Sequence, residues 1–238
     1  MSIYVLVHGA WHGGWCWRKT ANALRQMGHD VYTPTLTGLG ERSHLLAPSN
    51  DLSLNIQDVQ GVLRFEDLEC VLLVGHSYGG MVITGVADRM PERVSGLVYV
   101  DAYVPQDGQS MLDLRPDRFN RQLLALVESR GDGWRMPPLS AGDFHVRKAE
   151  DRAWVDRRLT PMSMACYTER IRLSRTFAGR KVYIRGQFPN ENFEEWHRAA
   201  EAGADWEAYR LEAGHDLMID RPEELAALLG RIDIPSPC

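Results

Sequence analysis

Apolar and polar positions fall into an alternating rhythm at both ends of this chain and lose it in the middle. Residues 3–7 form an unbroken apolar, β-branched run ended by His8-Gly9 and predict a buried strand. Residues 15–27 carry Trp17, Ala21 and Leu24 at helical spacing, with Gly28 suited to a C-terminal cap. A second strand is expected over 30–36, closed by Thr37-Gly38-Leu39-Gly40. Ser53 can cap a helix whose inner face is Ile56, Val59 and Leu63. Residues 70–74 are wholly apolar, as in a parallel strand covered on both faces. A helix over 78–90 and a strand over 96–100 follow, the strand ending at Asp101.

Between about 105 and 179 the rhythm lapses into an Arg-, Asp- and Met-rich stretch with Pro137-Pro138 and no run suited to a buried strand. Helical stretches are expected near 118–129 and 161–176. The rhythm then resumes with a strand over 181–184, a helix over 192–202, a strand over 206–211 and a helix over 221–229. Strands alternating with helices predict a doubly wound, mostly parallel α/β sheet. The expected organisation is one domain over 1–238, with a helical cap inserted at about 105–179. A length of 238 residues suits one such domain.

Composition narrows the function more than the fold. Hydrophobic residues make up 44% and charged residues 25%, with a net charge of −5. That gives no support for a nucleic-acid partner. No stretch approaches a membrane span, and the N-terminus lacks a basic segment before its short apolar run. Four cysteines at 16, 70, 166 and 238 form no CxxC pair or Cys/His ladder, so neither zinc nor a disulfide framework is expected. A cytoplasmic setting follows from that reading.

The chemistry begins at Gly75-His76-Ser77-Tyr78-Gly79, a G-x-S-x-G with an apolar strand before it and a helix after it. Such a turn lifts a serine hydroxyl above the sheet edge. Its flanking glycines remove collisions that any Cβ would cause. Ser77 is therefore the expected nucleophile. His215, in Ala213-Gly214-His215-Asp216 directly after the last expected strand, is the expected base. Two acids compete to orient it. Asp101 ends the strand after the nucleophile helix; Glu191 lies in the later loop 186–191, which also holds Asn190 and has no aspartate. The reading favours Asp101. The residues after the first strand, His8 to Trp15, suit an oxyanion hole built from the backbone N–H groups of Ala10 and Tyr78.

These segments resemble a known family. His8-Gly9-Ala10-Trp11-His12-Gly13-Gly14-Trp15-Cys16-Trp17 resembles the N-terminal motif of the plant methylesterase and hydroxynitrile lyase branch of the α/β-hydrolases. Residues 35–42 and 75–81 resemble its bacterial esterase-like relatives. The resemblance implies an α/β-hydrolase fold, Ser77 as nucleophile, His215 as base and the Ala10 and Tyr78 amides as oxyanion donors. It departs at the acid: the plant enzymes use an aspartate in the later loop. Asp101 instead resembles the acid of the haloalkane-dehalogenase-like branch. Hydroxynitrile lyases of this branch place a lysine after the catalytic histidine, where this chain has Asp216. An anion there would repel cyanide, so cyanohydrin cleavage is not expected.

The expected activity is hydrolysis of a small to medium, apolar or aromatic carboxylic ester through an acyl-enzyme, with no metal or organic cofactor. Amide, carbamate or carbon–carbon bond hydrolysis on the same triad is the alternative; a hydrolase-derived ligand receptor is a more distant one. Trp11, His12, Tyr103, Trp134, Phe188 and Met218 are the expected pocket residues, drawn from a wider aromatic and Met-rich set that includes Trp15, Met136, Phe144, Met162 and Met164. The expected partner is a small-molecule ester, and a homodimer is the assembly allowed for.

Overall fold

The structure, a computed structural model, describes residues 1–188 and 193–232. In chain order, β1 (Ile3–Val7) leads through a 3-10 turn at Gly14–Trp17 into α1 (Arg18–Gln26), then β2 (Asp30–Tyr32), α2 (Leu52–Phe65), β3 (Val71–His76), α3 (Gly79–Arg89) and β4 (Val94–Val100). The middle of the chain holds α4 (Asp117–Arg130), β5 (Arg135–Met136), α5 (Ala149–Asp156), β6 (Met162–Ser163) and α6 (Ala165–Thr168). The rhythm closes with β7 (Arg180–Gly186), α7 (Glu194–Ala202), β8 (Trp206–Leu211), α8 (Leu217–Asp220) and α9 (Pro222–Arg231).

Among the described residues, six strands form one parallel sheet in the order β2-β1-β3-β4-β7-β8. Every residue of β3 is buried, as a strand covered on both faces requires. Each fully buried aliphatic side chain in such strands contributes ~2 kcal/mol of transfer free energy. The parallel register puts the carboxyl ends of β3, β4, β7 and β8 along one edge, where α/β sheets bind their ligands.

Three expectations about elements need correction. Strand β2 stops at Tyr32 rather than reaching residue 36, because Pro34 has no N–H to give the ladder. The helix expected over 161–176 shrinks to the single turn of α6. Beyond it the backbone is pinned by partners far along the chain: Ile171 N–H donates to Gln109 O, Leu173 N–H to Asp107 and Ser174 N–H to Asp88. The middle region also holds a short antiparallel pair, β5 with β6, bringing Met136 onto Met162. Two-residue strands are too short to show a period. Cys16 and Cys166 are buried free thiols. Cys70 is disulfide-bonded, which the scattered cysteine spacing did not suggest and which removes the cysteine argument for a reducing compartment. Among the described residues, no helix is long and apolar enough to cross a membrane.

Candidate active site

The tight turn between β3 and α3 carries Ser77 in the left-handed region, with φ 53°. A non-glycine residue held there stores strain that its surroundings must enforce. The enforcing contacts are visible: Ser77 N–H donates to Val100 O at 3.3 Å, and Ser77 O accepts from Tyr103 N–H at 3.2 Å. Glycine is required before the turn and in the loop after β1 that packs against it. A Cβ at Gly75 would sit 2.7 Å from the carbonyl oxygen of Gly79, and one at Gly9 would sit 2.9 Å from the Ser77 Cβ.

Strand β4 delivers Asp101, also left-handed at φ 46° and fully buried. Its Oδ2 lies 2.6 Å from His215 Nδ1, and its Oδ1 accepts from Arg185 Nη1 at 2.7 Å and from Gly186 N–H at 3.1 Å. Because the carboxylate accepts, His215 Nδ1 carries the proton and Nε2 is left as the acceptor. The His215 ring lies parallel to Phe193, with centroids 4.9 Å apart, and near Phe144 and Phe188. Glu191 and Asn190 lie outside the described residues.

Beneath the site, three buried histidines hold charge states fixed by their partners. His8 Nδ1 donates to Gly9 O at 2.8 Å, while its Nε2 accepts from Leu36 N–H at 3.1 Å, so the ring is neutral. Burial pushes its pKa down to about 3. Since the N–H of a trans peptide points opposite its C=O, the His8 bond to Gly9 O also aims the Ala10 N–H. His76 Nε2 donates to the His215 carbonyl at 3.0 Å, and burial holds its pKa well below the usual value. His12 differs: Nδ1 donates to Ala10 O at 2.8 Å and Nε2 to Asp216 Oδ2 at 3.2 Å, so both nitrogens carry protons. Burial opposes that charge, but the Asp216 carboxylate outweighs it and raises the pKa. For Asp216 burial acts upward, and His12 reverses it to a net lowering.

Ser77 and His215 open into a cavity of about 770 Å³ walled by Trp11, Tyr103, Phe144, Tyr167, Phe188 and Phe193. Of the residues expected to form a pocket, Trp11, Tyr103 and Phe188 line this cavity. His12, Trp134 and Met218 do not: none lines this cavity. His12 is spent on Asp216, and Met218 is fully buried in α8. Trp15, Met136, Met162 and Met164 also lie away from the cavity wall, whereas Phe144 is on it. Asp216 is likewise absent from the wall, so its charge does not face a substrate, and the electrostatic argument against cyanohydrin cleavage loses its footing. Among the described residues, neither Ala10 N–H nor Tyr78 N–H finds an acceptor. Sequence reasoning missed Arg185, which holds Asp101, and the structural duties of His8, His12 and His76. A buried histidine has no sequence period to reveal it.

Among the described residues, no group of three or more His, Cys, Asp or Glu is arranged to hold a metal. Known proteins show similarity across nearly the whole chain. A carbendazim hydrolyzing esterase from Nocardioides sp. (strain SG-4G) is 41% identical, covering 98% of this chain and all of its own. Methylesterase 10 of Arabidopsis thaliana is 28% identical over 96% of this chain and 90% of its own. An extracellular alpha/beta-hydrolase from a Paenibacillus species superimposes with a TM-score of 0.83 at 23% identity, covering 96% of this chain and 98% of its own. The Alpha/beta hydrolase family matches residues 4–228. With a strained serine turn on a parallel sheet and a match spanning nearly its full length, the chain belongs to the alpha/beta hydrolase family.

Proposed function

We propose that this protein is a serine hydrolase that cleaves small to medium, apolar or aromatic carboxylic esters through an acyl-enzyme. The observation that carries the reading is the 2.6 Å bond from His215 Nδ1 to Asp101, which leaves Nε2 as a proton acceptor in the cavity shared with Ser77. In the first half-reaction Ser77 Oγ attacks the ester carbonyl and gives its proton to His215 Nε2. The carbonyl oxygen takes up the negative charge and accepts from the Ala10 and Tyr78 amides, each worth about 10²–10³ in rate. Collapse expels the alcohol, which takes the proton from His215. Water then repeats the steps on the acyl-serine. Asp101 stays ionised throughout, fixing the tautomer and stabilising the imidazolium.

Ser77 and His215 line the same cavity, and the mechanism requires Ser77 Oγ to donate to His215 Nε2 when substrate is bound, the state in which catalytic hydrogen bonds often form. Ser77→Ala should abolish turnover of p-nitrophenyl acetate and butyrate while circular dichroism and melting stay those of the wild type. Full activity in that variant would overturn the mechanism. The named substrate of the 41% identical relative makes carbendazim the first compound to assay beside simple esters. A panel of ester, anilide, carbamate and β-diketone substrates separates this reading from amide, carbamate and carbon–carbon hydrolysis.

A further inference from the structure

The cavity wall is not uniformly apolar. Arg115, Arg118 and Arg185 line it, together with Asp143 and Glu194. Most of these charges already have partners. Arg185 bonds Asp101 at 2.7 Å. Glu194 pairs with Arg210 at 2.8 Å, and its pKa is held at about 2 by that hydrogen bond. Asp143 accepts from Ser140 N–H at 2.9 Å and Ser140 Oγ at 2.7 Å. Among the described residues neither Arg115 nor Arg118 forms an ion pair with a carboxylate, and Asp143, bonded only to Ser140, has no cationic partner either.

Arg118 is exposed and lies over the Phe119 ring. Arg115 is half-buried. Its guanidinium lies over the Tyr167 ring, 5.3 Å from the centroid, and beside the Tyr103 hydroxyl, whose burial-raised pKa it pulls back down. Its Nη1 is buried with no hydrogen-bond partner. A guanidinium cannot shed its proton to escape this situation. Leaving a charged donor dry is more expensive than leaving a neutral one, so such groups are ordinarily matched. Its backbone is anchored as well: Asn120 Nδ2 donates to Arg115 O at 3.3 Å and to Leu112 O at 2.7 Å.

We propose that Arg115 is a specificity-determining residue that binds a carboxylate on the substrate, so that the preferred esters are half-esters of dicarboxylic acids or esters bearing a remote carboxylate. This rests on the esterase reading above and narrows its substrate class. The guanidinium fork matches a carboxylate in two parallel hydrogen bonds. Tyr103 and Tyr167 wall the cavity beside Arg115, and Arg118 adds a second positive charge to its lining.

The test compares monomethyl esters of succinic, adipic, suberic and sebacic acids with neutral methyl esters of matched chain length, following methanol release. The readout is the ratio of kcat/KM for the acidic ester over its neutral counterpart, so any general loss cancels. At the best chain length, Arg115→Met should lower that ratio about 10- to 100-fold, and Arg115→Lys should restore part of it. An unchanged ratio across the series would overturn the proposal while leaving the esterase intact. If the wild type cleaves none of the esters, the esterase reading fails instead. Arg115 is then judged by adipate binding, followed through quenching of tryptophan fluorescence. Tighter binding of adipate to wild type than to Arg115→Met supports the proposal, and equal binding rejects it.

Discussion

Asp101 has to serve three donors at once: His215 Nδ1, Arg185 Nη1 and Gly186 N–H. This crowding makes the residue both a tautomer switch and a structural anchor. Asp101→Asn removes the acceptor that keeps the proton on Nδ1, and kcat on p-nitrophenyl butyrate should fall by about 10³–10⁴. It also removes one of the carboxylates that face a buried guanidinium, the other being Glu194 at 3.8 Å. The melting curve should report a stability loss on the order of 3 kcal/mol. Loss of stability without loss of rate would mark Asp101 as structural only. At this scale the sequence was legible where a motif carries a mechanism. The strand-to-helix turn at Ser77 was legible through its glycines, and the loop position of His215 through the strand before it. Asp101 could be named only beside Glu191, because no local pattern distinguishes a carboxylate at a strand end from one in a loop.

Three loops from distant parts of the chain meet under the site, and polar contacts join them. His12 bonds Ala10 O in the loop after β1 and Asp216 in the loop before α8, and His76 at the end of β3 bonds the His215 carbonyl. The loop after β1, the serine turn and the loop carrying His215 are therefore joined by buried polar contacts. Asp216→Asn keeps the volume and removes the charge that holds His12 protonated. We expect a loss of about 2 kcal/mol in chemical denaturation, since a buried charge-assisted hydrogen bond is exchanged for a neutral one. Turnover should fall with it, because the loop carrying His215 is no longer tied to the loop carrying Ala10. Undiminished stability would show that the pair does not brace these loops. The strands and helices were legible because their apolar period is repeated and long. The region from 105 to 179 was not: its short β5–β6 pair and its irregular stretch after α6 depend on partners such as Asp88 and Asp107, which lie far away in sequence.

Summed over the molecule, the buried histidines set opposing pH dependences. His8, with a folded pKa of about 3 against 6.5 unfolded, contributes stability that is present above 6.5 and lost as pH falls from there towards 3. His76 acts in the same direction. His12 is raised, so its contribution is present below 6.5 and lost as pH rises through its folded pKa. Asp216 is lowered, and its share is present above 3.8 and lost as pH falls through its folded value. The melting temperature at constant ionic strength should therefore peak near pH 6.5 and decline on both sides, and the alkaline decline should flatten in Asp216→Asn. A melting temperature that climbs steadily into the alkaline range would contradict the cationic assignment of His12. The claim on which all of this depends is that Ser77 is the group that becomes covalently modified. Its most direct test is treatment with diethyl p-nitrophenyl phosphate followed by peptide mapping in a mass spectrometer. The account predicts one diethylphosphoryl group per chain, on Ser77, formed in step with the loss of esterase activity. Inactivation with Ser77 unmodified, or with the label on another residue, would contradict it.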